Sequence, residues 1–117
     1  MKFAAEENSP WIPGQGYRKN ILLTERDLHC PGTLVQIVVI EPRTSVGNHF
    51  HRRTTEVFHM LSGEGKMTIG GTEVDLARGD TITCEPGEIH NAVNTGDEPW
   101  RYIVFKTNVV LDDSVWL

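Results

Sequence analysis

Turn signals recur along this chain at intervals too short for a long helix. Pro13-Gly14, Pro31-Gly32, Ser62-Gly63-Glu64-Gly65, Gly70-Gly71, Gly79-Asp80, Pro86-Gly87 and Thr95-Gly96-Asp97-Glu98-Pro99 each punctuate the backbone. The segments between them are short and rich in β-branched and aromatic residues, and none carries the 3.6-residue apolar period of an amphipathic helix. About nine or ten strands joined by tight turns, with no internal repeat, predict an all-β chain folded as an antiparallel barrel or jelly roll. A length of 117 residues suits one hydrophobic core and no second domain.

Residues 1–20 hold Pro10, Pro13, Gly14 and Gly16 together with Trp11 and Tyr17. That composition forbids a regular helix and predicts an extended N-terminal arm, with residues 21–117 forming the barrel domain. Ile21–Leu23 reads as a short strand, and Thr24 as the cap of a brief turn that ends near Leu28. Leu34–Ile40 lacks the apolar/polar alternation of a half-wet strand, so both of its faces are expected to be covered, one by the barrel interior and one by a second sheet or subunit. The Gly70-Gly71 pair predicts a two-residue hairpin loop with positive φ. Met67, Ile69, Val74 and Leu76 then form the core face of that hairpin, and Lys66, Thr68, Glu73 and Asp75 its wet face. Trp100–Lys106 is a closing strand, and the apolar tail Val115-Trp116-Leu117 is expected to dock rather than stay in water.

The chemistry concentrates at His49-Phe50-His51. Side chains alternate along a strand, so these two imidazoles share a face and can reach one ion. His90, on an apolar run just after the Pro86-Gly87 turn, offers a third nitrogen. Imidazoles with a carboxylate suit a borderline transition metal and leave positions for water or substrate. Glu56 lies seven positions beyond His49, an odd spacing that would set the two on opposite faces of one continuous strand. The polar stretch Arg52-Arg53-Thr54-Thr55 is therefore read as a turn between two strands, which removes the conflict. Glu56, Phe58 and Met60 then face inward and His59 outward, while His29 sits in a loop as a solvated residue.

Together the two stretches resemble the paired motifs of the cupins. The first, H-x-H, four residues, E, six residues, G, is matched by His49, His51, Glu56 and Gly63. The second, G, five residues, P-x-G, two residues, H, three residues, N, is matched by Gly79, Gly87, His90 and Asn94, with Glu85 standing where the family has proline. The resemblance implies a double-stranded β-helix barrel holding one divalent transition metal, iron, manganese, nickel or zinc, on His49, His51, Glu56 and His90. It further implies a small-molecule ligand and a homodimer, with Trp11 packed either on its own barrel or on the partner chain. Cupins resemble one another while hosting very different activities, so two classes of function stay open. One is a metalloenzyme acting on a small polar molecule, of dioxygenase, decarboxylase or isomerase type. The other is a metal-dependent binding barrel without turnover. A sugar-phosphate isomerase is a further reading, in which Arg52 or Arg53 would hold the phosphate.

Sixteen acidic against eleven basic residues give a net charge of −5, which disfavours nucleic acid and anionic lipid as partners. No apolar run approaches the roughly 18 residues that cross a bilayer, and the N-terminus lacks the apolar stretch of a signal peptide, so the expected location is the cytoplasm. Cys30 and Cys84 make neither a disulfide framework nor a thiolate metal site; Cys84 alternates with Ile82 and reads as a small buried hydrophobe.

Overall fold

The computed structural model describes residues 1–117. A 3-10 turn at Glu6–Asn8 precedes eleven strands: β1 (Ile12–Pro13), β2 (Arg18–Leu23), β3 (Leu34–Ile40), β4 (Ser45–His51), β5 (Thr55–Ser62), β6 (Glu64–Ile69), β7 (Thr72–Ala77), β8 (Thr81–Cys84), β9 (His90–Val93), β10 (Trp100–Thr107) and β11 (Ser114–Trp116). One helical turn, α1 (Glu25–Leu28), lies between β2 and β3. The strands form a six-stranded sheet in the order β1-β2-β3-β10-β5-β8 and a five-stranded sheet in the order β11-β4-β9-β6-β7, with every pair antiparallel. The fold is all-β, as the spacing of turns predicts, and a double-stranded β-helix, as the resemblance implies.

Local chemistry accounts for the element boundaries. The backbone N–H of Thr24 donates to the Asp27 carboxylate at 3.0 Å, and His29 closes α1 in the left-handed region at φ 53°. Gly70 and Gly71 have φ of 56° and 84°, the two positive angles that a two-residue hairpin loop needs, and join Ile69 to its cross-strand partner Thr72. Met67, Ile69 and Leu76 are buried on one face of that hairpin, and Lys66 reaches Glu73 and Asp75 on the other. Strand β2 begins at Arg18, three residues before the start read from Ile21, because Arg18 and Lys19 continue the ladder with β3.

The core lies between the sheets. Trp100 is fully buried, its indole N–H donates to Met60 Sδ at 3.1 Å, and its ring packs where a Cβ on Gly65 would intrude to 2.2 Å. Gly63 carries φ 74° against the backbone of Pro99 and Trp100, so this position excludes larger residues on both conformational and steric grounds. Asn94 is also fully buried. Its amide donates to the carbonyls of Ile40 and Glu98 and its oxygen accepts from Gly96 N–H, which closes the turn before β10. From Gln36 to Ile40, β3 is buried at every position, so both faces are covered as expected. Part of the outer cover is the N-terminal segment, since Asn20, opposite Ile37, donates its side-chain N–H to the carbonyls of Glu6 and Ser9. Trp11 packs under the Arg18 guanidinium of the same chain at 4.9 Å.

Candidate metal centre

His49, His51, Glu56 and His90 converge inside the barrel from three strands and both sheets. His49 and His90 are direct cross-strand partners on β4 and β9, and His51 follows on the same face of β4. The ligand atoms of the three histidines lie within 4.8 Å of one another. Glu56 faces them from β5, with Oε1 2.8 Å from His51 Nε2 and 3.4 Å from His90 Nε2. A polar turn at Arg52-Arg53-Thr54 separates β4 from β5, which resolves the odd spacing between His49 and Glu56. His59 points outward and pairs with Thr81 Oγ1, and His29 stays at the end of α1.

Each imidazole is held from behind. His49 Nδ1 is 2.8 Å from the Gly47 carbonyl and His90 Nδ1 is 3.0 Å from the Glu88 carbonyl. A carbonyl can only accept, so Nδ1 carries the hydrogen in both rings and Nε2 is the nitrogen left to take a proton or a cation. His51 Nδ1 is paired with Ser114 Oγ at 3.0 Å, on the neighbouring strand β11. Glu56 Oε1 is buried without an aligned donor, although two imidazole nitrogens stand close to it. Lone pairs turned on one another in this way are satisfied either by a proton on a ring nitrogen or by a cation between them.

The electrostatics follow from this packing. Burial lowers His49 to about 4, against the Gly47 hydrogen bond, with the other two histidines adding to the fall. Burial would lower His90 as well, but Cys84 beside Nδ1 and the Glu56 carboxylate beside Nε2 outweigh it and push His90 up to about 10. Glu56 would be raised by burial, yet His51, His90 and Lys106 hold it far below the usual carboxylate range. It is an anion under all ordinary conditions. The donor set, three neutral-capable imidazoles with one fixed carboxylate, could hold a divalent transition metal.

The site opens into a cavity of about 170 Å³. Trp116 stacks on His49 with ring centroids 4.2 Å apart at the rim of the site, but it stays 44% exposed and Leu117 71% exposed, so the tail docks through one ring and is otherwise in water. Lys19, Gln36, Tyr17, Tyr102 and Lys106 line the far wall, none of them assigned there from the sequence. One signal was present: Lys106 has the inward parity of Trp100, Tyr102 and Val104, and an inward lysine in an apolar strand is conspicuous. Arg52 and Arg53 do not line the cavity; the Arg52 guanidinium instead donates to the Asp112 carbonyl, because the turn that carries both residues faces solvent. Cys84 is buried as expected, but its sulfur lies 3.3 Å from His90 Nδ1 and so packs directly behind the site. At the second motif, the turn with Glu85 in the proline position is held by hydrogen bonds. The Glu85 N–H donates to the Glu88 carboxylate at 2.8 Å, and Gly87 at φ 82° donates to the His51 carbonyl, tying this turn to β4.

Residues 36–106 match the family model for the cupin domain, and the chain belongs to this family. Among curated relatives, the oxalate-binding protein of Thermotoga maritima is 30% identical over 82 residues, 70% of this chain and 68% of that protein. The tetracenomycin polyketide synthase protein TcmJ of Streptomyces glaucescens is 25% identical over 89 residues, 76% of this chain and 60% of the relative. In three dimensions the chain superimposes on a predicted oxalate decarboxylase from Thermotoga maritima with a TM-score of 0.83 at 22% identity, covering 92% of this chain and all of the other. No helix is long and apolar enough to cross a membrane.

Proposed function

We propose that this cupin binds one divalent transition metal, iron, manganese, nickel or zinc, through His49, His51, Glu56 and His90, and that it is a metalloenzyme acting on a small polar molecule bound beside the ion. The observation that carries the reading is the convergence of the histidine nitrogens, two with Nδ1–H fixed by a carbonyl, on a buried carboxylate oxygen without a donor. When bound, the ion supplies Lewis acidity and open positions for a chelating substrate. The chain's own part is to hold the ligands in one tautomer, to exclude bulk water with Trp116 and the apolar walls, and to orient the substrate from the far wall. A cavity of about 170 Å³ falls below the roughly 300 to 1,000 Å³ of sites for drug-sized ligands, so the molecule taken is small.

A second reading is a metal-dependent binding barrel without turnover. It is supported by the relative named as an oxalate-binding protein. The isomerase reading loses its phosphate anchor, since Arg52 and Arg53 lie outside the cavity. Elemental analysis of purified protein tests the metal site. Stoichiometric metal is expected in the wild type and in His29→Ala and His59→Ala, and loss is expected in His49→Ala, His51→Ala, Glu56→Ala and His90→Ala. Equal metal content in wild type and His90→Ala would remove the second motif from the site. Oxygen uptake and carbon dioxide release, measured on metal-loaded protein with a panel of diols and keto acids, then separate turnover from binding alone.

A further inference from the structure

Two lysines line the cavity into which the four side chains converge. Lys106 lies directly across from Glu56 on β10, mostly buried, with Nζ 3.9 Å from Glu56 Oε2. Lys19, on β2, lines the same cavity and makes no ion pair with a carboxylate of this chain. Its pKa is lowered, first by burial and then by repulsion from Lys106, so the two cations feel one another. Between them in the sheet, on β3, is Gln36, 4% exposed, with its side-chain oxygen unpaired. Lys106 has Glu56 within reach, but the partly buried Lys19 ammonium has no carboxylate partner, and holding it beside a second ammonium in one cavity is unfavourable without a counter-anion. Glu56 is the nearest anion, and it faces the histidines.

We propose that Lys19 and Lys106 form an anion subsite, and that the molecule held in the cavity is a small dicarboxylate, with one carboxylate at the ion and the other between the two ammonium groups. The inference rests on the metal reading for the first carboxylate only. A divalent ion, one glutamate and two lysines leave a surplus of positive charge in a confined space, which a dianion offsets further than a monoanion does. Tyr17 and Tyr102, both raised by burial and then by Glu56, remain neutral phenols. Their hydroxyls can therefore add donors to the same anion. Val38, Phe58 and Val104 also line the cavity and give the short carbon link of such a ligand an apolar wall.

Titration calorimetry with oxalate, malonate and acetate tests this on metal-loaded protein. The wild type is expected to bind malonate or oxalate well above acetate. Lys19→Met and Lys106→Met are each expected to weaken the dicarboxylate by about tenfold or more, the scale of a hydrogen bond to a charged group. Acetate should change little, because it occupies the ion alone. Lys66→Met, which removes a lysine from the solvent face of β6, should match the wild type. Lys19→Arg keeps the charge and should retain malonate binding, which separates lost charge from lost structure. Metal content is measured first and independently. If the wild type holds no metal, the metal reading fails, and the subsite is then judged on metal-free protein, where Lys19→Met must still weaken malonate. Equal dicarboxylate affinity in wild type and both methionine variants, or no preference for dicarboxylate over acetate, would overturn the subsite.

Discussion

Ser114 shows how the site depends on residues that carry no motif. Its hydroxyl is the only side-chain partner of His51 Nδ1, and a ligand's outer hydrogen bond typically contributes about 10- to 100-fold in metal affinity. Ser114→Ala is expected to weaken metal binding by that order with little change in melting temperature, read by competition against a chromophoric chelator. Acid should act on the same nitrogens. Protons compete with the ion for the ring nitrogens, so metal is expected to be lost as pH falls, with His90, pushed up to about 10, the ring where a proton competes first and His49, lowered to about 4, the ring where it competes last. Metal content unchanged down to about pH 4 would argue against imidazole ligation. At this scale the sequence was legible where a residue sits in a spaced motif, as His49, His51, Glu56 and His90 do. Ser114 was not legible, because its role arises from the pairing of β11 with β4, and nothing local in a three-residue strand announces its partner.

Parity along β4 is set by a bulge rather than by the sequence. Three steps from Val46 to His49 are matched by two from Ala92 to His90, so one extra residue at Gly47-Asn48 shifts the alternation. Val46 and the two histidines therefore all reach the interior, although their numbers differ by odd steps. A strict period of two would have placed one or the other outside, and only the pairing with β9 reveals the exception. The turn after His51 has a comparable hidden support. Asp113, just before β11, accepts hydrogen bonds from the backbone N–H of Arg52, Arg53 and Thr54 and from Thr54 Oγ1. It thereby fixes the corner that aims His51 and Glu56 at one another. Asp113→Ala leaves these donors without their acceptor and is expected to cost about 2 to 4 kcal/mol in urea unfolding at neutral pH. Burial would raise the Asp113 carboxyl, but the Thr54 hydroxyl and the three amides hold it below 3.8. A depressed carboxylate contributes stability that is fully present above the unfolded value and is lost as pH falls through the lower folded value. The gap between wild type and Asp113→Ala should accordingly narrow below about pH 3.8. A gap independent of pH would mean that the carboxylate charge is not what secures the turn.

Across the whole molecule the outer side of the six-stranded sheet is covered only in part within the chain. On the outer side of the six-stranded sheet, Val35, Phe105 and Val57 are cross-strand neighbours in one row, and Ile37 and Ile103 stand in the next, with His59 beside them. Residues Glu6 and Ser9 cover one end of this face through Asn20, and Glu6 also pairs with Arg101. Past that cover, Phe105 remains 38% exposed and Leu61 36% exposed. The double apolar character of Leu34–Ile40, read from its lack of alternation, is thus only partly explained by the N-terminal segment. One face of the Trp116 ring is taken by His49, and the rest of the tail stays exposed. Trp11 lies against Arg18 of its own chain. The remaining apolar rows favour a second copy of the chain, because a two-fold axis brings identical patches face to face and both are covered at once. An obligate pair of this kind would bury roughly 2,000 Å² or more, mostly apolar. Sedimentation at micromolar concentration is expected to give twice the 13.2 kDa chain mass. Phe105→Lys, which puts a charge into the exposed end of the patch, should shift the population to the single chain while leaving metal content unchanged, because the side chain at 105 faces away from the cavity. A single-chain mass in the wild type would sink the dimer and leave the outer rows of the six-stranded sheet as open surface.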